Sequence, residues 1–362
     1  MSARTKQLFI FAILAVFVVG IIIVVRRNKG AAGDAMSEQI FAMDTVMNLT
    51  VYKTEGMVGE LEDVLGEMRE CVYRLENELS VTKDDSEIAK LNAASGVAVQ
   101  VSDETYELLN KTIEVAKDTD GSFDPTIYPI VKLWGFTTGE YRVPSEDERK
   151  NTLKIVDYKK VEFPSDKELI ADKAIHEKGL TSHIEAPRYP KVIVDGAKYT
   201  RLPEKMQIDL GACAKGYLSD KLCDILREHK TSGIVSLGGN VQSVGTKPDG
   251  TEFTVGIVDP KDTSKIFEKI TSKNEAVVTS GNYERFFEKD GKRYHHIMDS
   301  RTGAPADNGL ASVTVIGPSG FCCDAYATAF FIMGEDKTNE FLKNHSDYKA
   351  AFIYEDGSSS GF

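Results

Sequence analysis

An acid and a hydroxyl stand four residues apart in Cys323-Asp324-Ala-Tyr-Ala-Thr328. On a helix that spacing puts both on one face, one turn from each other. Two hard oxygen donors so placed suit Mg²⁺, which takes one or two protein oxygens and fills its shell with phosphate and water. The same residues read equally as a helix cap and a packed threonine. A second group, Asp209-Leu-Gly-Ala-Cys-Ala-Lys215-Gly216, sets an acid and a lysine around a glycine turn that opens a helix. Free N–H groups at such a start attract phosphate, and the lysine adds a point charge. A strand–turn–helix corner with a surface lysine is the alternative. Neither a P-loop nor a G-x-G-x-x-G is present.

Three further segments carry polar groups that suit a ligand or a tight turn. Gly238-Gly239-Asn240 follows a buried strand and allows close approach to the backbone. Gly121-Ser-Phe-Asp124-Pro-Thr126 is turn-like, and Thr279-Ser280-Gly281-Asn282-Tyr283 is rich in hydroxyls. The run His295-His296-Ile-Met-Asp299-Ser-Arg301-Thr-Gly303 adds two histidines that titrate near neutrality and can take a proton from a hydroxyl. Neighbours on a strand face opposite ways, so only one of the pair can serve a given site.

The elements that must position these residues are legible from periodicity. Residues 40–53 alternate as a strand or hairpin arm. Leu61, Val64, Leu65, Met68, Val72, Leu75 and Leu79 recur at helical spacing. Asp85 or Ser86 caps a short helix, and Asp103 caps another that ends before Gly121. Residues 151–207 read as short strands and turns, with Val192–Ala197 a hairpin arm and 171–190 an exposed loop. Gln207–Gly211 reads as a strand, Ala214 to about His229 as a helix and Ile234–Leu237 as a buried strand. Strands follow near 253–258, 276–279 and 312–316. A last helix runs from near Cys322 to Gly334, and 350–354 is a terminal strand. Helices and strands mix without strict alternation, which predicts an α+β fold of mixed sheets with packed helices.

Composition narrows the function. The chain has 362 residues, is 41% hydrophobic and 28% charged, and carries a net charge of −12. Arg4, Lys6, Arg26, Arg27 and Lys29 precede every acid, so the remainder is more acidic still. Such a body is a poor nucleic-acid binder. Five cysteines without C-x-x-C or Cys/His spacing argue against a disulfide scaffold or a zinc site. Leu8–Val25 is uncharged over roughly 18 residues, about the reach of a bilayer core. It ends at Arg26-Arg27 without a small-residue cleavage site, which favours an uncleaved anchor over a signal peptide. The expected division is 1–29 as a membrane anchor, 30–38 as a linker and 39–362 as the catalytic domain.

Taken together, these segments resemble the FAD:protein FMN transferase (ApbE) family. The match runs in family order through Leu79–Asn92, Asp120–Thr126 with Leu133-Trp-Gly-Phe136, Gln207–Tyr217, Ser236–Asn240, Thr279–Arg285, His295–Gly303 and Ser312–Gly334. The resemblance implies a T-fold-like flavin transferase domain. It implies Mg²⁺-dependent transfer of the FMN part of FAD to a threonine or serine hydroxyl of an acceptor flavoprotein subunit in a membrane electron-transport complex, with AMP released. It implies a single-pass protein of the cell membrane with its catalytic domain outside the cytoplasm. The implied metal ligands are Asp324, Thr328 and the Ala212 carbonyl. The implied FAD contacts are Met43, Ser122, Phe123, Asp124, Asp209, Lys215 and His295, and the proton acceptor is His296 or Asp299. Where the family has Met-Gly-Thr this chain has Met43-Asp44-Thr45, and Ser300 stands where it has proline. The same residues would also serve a tethered FAD-binding protein, or an FAD pyrophosphatase with water as the nucleophile.

Overall fold

The computed structural model describes residues 35–177 and 188–362. Its centre is one sheet of eight strands: β1 (Ala35–Ala42), β2 (Thr45–Tyr52), β3 (Ser232–Leu237), β4 (Asn240–Val244), β5 (Ala276–Gly281), β6 (Leu310–Gly317), β7 (Lys349–Tyr354) and β8 (Ser359–Ser360). The strands lie in the sheet in chain order. Every neighbouring pair is antiparallel. The α+β expectation stands, but the expected mixed sheet is a purely antiparallel meander. Its long excursions carry helices and still return antiparallel.

The inner strands are apolar on both faces because both are covered. Val235, Leu237, Val278, Val313, Val315 and Phe352 face the main core with the helices. Ile234, Val241, Val277, Ile316 and Ile353 face the other way, under a hairpin made by Phe253–Asp259 and Asp262–Ser272. On the helical side lie α1 (Leu61–Leu79), α2 (Asp103–Asp118), α3 (Ala214–Glu228) and α4 (Gly320–Met333). The predicted stripe of α1 is the buried one, from Val64 to Leu79. Each large side chain so buried stabilises the fold by roughly 1.5–3 kcal/mol. The short helix after α1 is capped by Ser86, and Ser102 rather than Asp103 caps α2.

α4 is apolar almost all round, as suits a helix enclosed by sheet and neighbouring helices. It crosses α3 in backbone contact. A Cβ on Gly216 would stand 2.2 Å from the Gly320 carbonyl oxygen, and one on Gly320 would stand 2.1 Å from Ser219 Oγ. Asp220 of α3 caps the start of α4, accepting from Gly320 N at 2.7 Å, Phe321 N at 3.0 Å and Ser319 Oγ at 2.8 Å. Gln242 Nε2 donates to the same carboxylate at 2.9 Å, which ties the crossing to β4.

Several expectations change. No helix among the described residues is long and apolar enough to cross a membrane. The membrane helix and the single-pass localisation are therefore without structural support. The run on which they were placed, residues 8–25, lies outside the described residues. β1 begins at Ala35, inside the stretch read as linker. Between 146 and 200 the chain forms helices at Glu146–Leu153 and Asp166–Glu177, and among the described residues there only Lys198–Thr200 is a strand. Val192–Ala197 is not a strand: Val192 is 73% exposed, so its apolar run has no sheet to join. Gln207–Leu210 belongs to no strand, and Gly211 opens the turn before α3. A helix after α4, Glu335–Leu342, and a hairpin of Phe286–Lys289 with Lys292–His295 were not anticipated.

Asp220→Ala leaves the buried donors of α4 without an acceptor. It lowers the unfolding free energy by roughly 2–3 kcal/mol, measured by denaturant titration. A wild-type value would show that α4 is not held by this cap.

Candidate active site

One cavity of about 170 Å³ gathers the chemistry. Its walls come from the 122–127 turn, the start of α3, the β3–β4 turn, the end of β5 with the residues after it, the segment from His296 to Ser300, and α4. The predicted Ser122, Phe123, Asp124, Asp209, Ala212, Lys215, His296, Asp324 and Thr328 all line it. Met43, His295 and Asp299 do not.

Asp324 is 4% exposed in the otherwise apolar α4. Its Oδ2 accepts from Gly216 N at 2.8 Å. Gly216 is the third residue of α3, where an N–H has no intrahelical partner, and the capping residue Cys213 supplies no side-chain bond. Asp324 therefore caps a neighbouring helix and not its own. Oδ1 accepts no hydrogen bond among the described residues, and neither does the Ala212 carbonyl. One turn along α4, Thr328 Oγ1 lies 3.3 Å from Ser280 Oγ. Three hard oxygens in one wall match the chemistry that Mg²⁺ prefers.

Asp209 is fixed by its backbone, whose N–H donates to the Pro125 carbonyl at 2.9 Å. Its Oδ1 accepts from Gly211 N at 2.8 Å. Burial raises its pKa, opposed by the Gly211 N–H and by Arg285 and Lys215. Asp124 accepts from Thr126 N at 2.8 Å and Thr126 Oγ1 at 2.6 Å, closing the turn. Burial raises its pKa too, against those two bonds.

The two histidines face different ways, with His295 ending its strand and His296 in the bend that follows. His295 is 6% exposed, Nε2–H donates to the Ala306 carbonyl at 2.9 Å, and Nδ1 accepts from Ile297 N at 3.3 Å. Both nitrogens are spent on structure. His296 enters the cavity, with Nδ1 3.2 Å from the Arg285 carbonyl oxygen. That carbonyl can only accept, so Nδ1 carries the proton and Nε2 keeps a lone pair. Burial, then Arg285 and nearby positive charge, pull the His296 pKa down to about 3. Asp299 is held by Arg301 in a two-point ion pair at 2.8 and 2.9 Å, turned into its own loop. Met43 N donates to Glu76 Oε1 at 2.8 Å in a left-handed turn with Asp44. Its neighbour Thr45 packs on Gly238, where a Cβ would stand 2.2 Å from Thr45 Oγ1.

Three lining residues were not singled out from the sequence as site residues. Glu284 has no hydrogen-bond or ion-pair partner among the described residues. It keeps solvent contact along the wall, but the surrounding protein pushes its pKa up to about 7, with Asp324 adding to the shift and Lys215 and Arg285 opposing it. Arg285 donates to the Phe136 carbonyl at 2.8 Å. Asn240 is 2% exposed, and its Nδ2 has no partner among the described residues. The signal for these three was the Gly-Gly-Asn and Tyr-Glu-Arg composition of turns. It shows polar groups at a bend but not which way they point.

A family model for the ApbE family matches residues 43–353. The FAD:protein FMN transferase of Treponema pallidum is 33% identical over 354 residues, covering 93% of this chain and 91% of its own length. That of Klebsiella pneumoniae (strain 342) is 32% identical over 287 residues, covering 78% and 80%. Among solved structures, the ApbE protein of Thermotoga maritima superposes with a TM-score of 0.76 at 30% identity, over 90% of this chain and 96% of that one. The flavin transferase ApbE of Vibrio cholerae shares the fold, with a TM-score of 0.72 at 24% identity over 90% and 96%. The family model, the curated relatives and the fold agree, and the chain belongs to the ApbE family.

Proposed function

We propose that this chain is an FAD:protein FMN transferase that attaches FMN to a threonine or serine hydroxyl of an acceptor flavoprotein and releases AMP. The observation that carries this reading is Asp324. It is a buried carboxylate that lines one cavity with Lys215 and Thr328; one oxygen caps α3 through Gly216 N, and the other, Oδ1, accepts no hydrogen bond among the described residues.

In the reaction, the acceptor oxygen forms a bond to the phosphorus of the FMN half. The bond from that phosphorus to the bridging oxygen breaks, and AMP leaves with the bridging oxygen. Such transfer depends on positioning and on neutralising developing charge. The start of α3 and Lys215 supply positive potential toward the pyrophosphate. Asp324, Thr328 and the Ala212 carbonyl are the residues that would hold Mg²⁺. The metal would add charge neutralisation at the phosphate oxygens. His296 Nε2 keeps a lone pair toward the cavity, but the one proton of the incoming hydroxyl is donated to the Glu284 carboxylate and not to this ring. A ring with a pKa near 3 is too weak a base to keep the proton. Glu284, poised near 7, is the better holder. Asp299, locked to Arg301, takes no part in this scheme.

Asp324→Asn keeps an oxygen for the Gly216 N–H but loses the charge. Its thermal stability stays close to wild type, while transfer falls by about 10²-fold or more. The readout is flavin fluorescence that survives a denaturing gel, with purified chain, FAD, Mg²⁺ and an apo-acceptor subunit. Undiminished transfer by this variant would remove the assignment, as would FMN and AMP release with no labelled protein.

The pH profile supplies a second check. Glu284 accepts a proton only when ionised, so kcat/KM rises with pH up to about 7 and levels above it. His296 stays neutral throughout that range and adds no limb of its own. In Glu284→Gln the limb vanishes and the rate falls by roughly 10²–10⁴-fold. An unchanged profile in that variant would exclude Glu284 as the proton holder.

A further inference from the structure

A second concavity, of about 360 Å³, lies on the opposite side of the β3–β4 turn from the active-site cavity. The two share Thr279 and Glu284 in their walls. The turn itself divides between them: Gly238 and Asn240 face the cavity and Gly239 faces the groove. Gly239 has φ +96, and a Cβ there would stand 3.4 Å from Glu284 Oε1. The partition between the two spaces is thus thin, and it is made of a residue without a side chain.

The groove differs from the cavity in chemistry. Val241, Val255, Ile257, Thr263 and Tyr283 line it, and Glu284 is the sole charged group in its wall. With no lysine or arginine there, it offers nothing to pair with a phosphate. One side is the strand Phe253–Asp259, which pairs only with Asp262–Ser272 among the described residues. Its other backbone edge is therefore open to an added strand. Four successive residues of that strand, Val255 to Val258, contribute to the groove.

We infer that this groove receives the acceptor protein as an extended, uncharged segment, laid along the open edge of Phe253–Asp259, with its hydroxyl carried past Gly239 to Glu284. The inference rests on the transferase reading, since only a group transfer to a protein needs a second entrance for polypeptide. Backbone pairing supplies affinity without demanding particular side chains, and the small apolar pockets select small neighbours around the hydroxyl. The nucleotide keeps the side that holds Lys215 and Arg285, and the acceptor takes the side without a cation.

The test is steady-state flavin transfer by the full chain, with the apo-acceptor subunit prepared from cells lacking the transferase. Thr263→Trp fills the groove from its exposed rim, and Val241→Phe fills it from the floor. Each raises the acceptor KM about tenfold or more, while the KM for FAD and the melting midpoint stay at wild-type values. An acceptor KM unchanged in both variants, or a rise in the FAD KM instead, overturns the groove assignment and leaves the transferase reading in place. A wild-type chain that labels no subunit overturns both.

Discussion

The site depends on the crossing of α3 and α4. Two glycines, Gly216 and Gly320, let the helices touch backbone to backbone. Two aspartates then hold the contact in opposite senses: Asp220 of α3 caps α4, and Asp324 of α4 caps α3. Each helix start is an electropositive end with unpartnered N–H groups, so a carboxylate from the neighbour is favoured twice, by hydrogen bonds and by the dipole. The reciprocity fixes the depth of Asp324. A larger residue at either glycine would separate the helices and carry that carboxylate away from Lys215 and Thr328.

The sheet accounts for where the cavity can be. Both its faces are covered, so the ligand space lies beside turns and helix ends and not on a strand face. The excursion between β2 and β3 delivers the 122–127 turn and the start of α3 to the same place. Ser300 Oγ donating to the Gly121 carbonyl at 2.7 Å, and Trp134 Nε1 donating to the Gly303 carbonyl at 2.8 Å, lock the histidine loop onto that turn. Lys215 and Arg285 put positive charge in the cavity of a strongly acidic protein. They share it with the carboxyl groups of Asp124, Asp209, Glu284 and Asp324, so a polyanion entering the cavity needs a bound cation to offset those acids.

What the sequence disclosed follows the range of each signal. Helical and alternating periodicity located α1, α3, α4 and the inner strands, because burial imposes those patterns locally. The i, i+4 relation of Asp324 and Thr328 was visible for the same reason. That one of His295 and His296 must face away was legible from strand geometry, but which one was not. The choice depends on the Ala306 carbonyl and on Phe331, both supplied from elsewhere in the chain. Asp299 looked available because Arg301 is two residues away, a spacing that does not announce an ion pair. The Phe286–His295 hairpin and the Glu335–Leu342 helix bury little, so their patterns were faint. Asp220 gave no signal, since its partners at the start of α4 are about a hundred residues distant.

Asn240 shows how the cavity depends on what enters it. A buried amide N–H₂ without an acceptor costs roughly 1–3 kcal/mol, and Asn240 is almost wholly enclosed with Nδ2 unpaired. Most buried polar atoms nearby are satisfied: Gln242, two residues on, bonds both Ser219 and Asp220. Of the unpaired buried side-chain atoms among the described residues, Asn240 Nδ2 is the one on a cavity-lining residue. Its neighbour Gly239 keeps the partition thin, and Glu284 beyond it is likewise unpartnered. A phosphate oxygen would satisfy the unmet Asn240 donor, and a hydroxyl would meet the solvent-exposed Glu284 carboxylate, which lines both spaces. Asn240 thus belongs to the cavity alone, and Glu284 is the charged group that the cavity and the groove have in common.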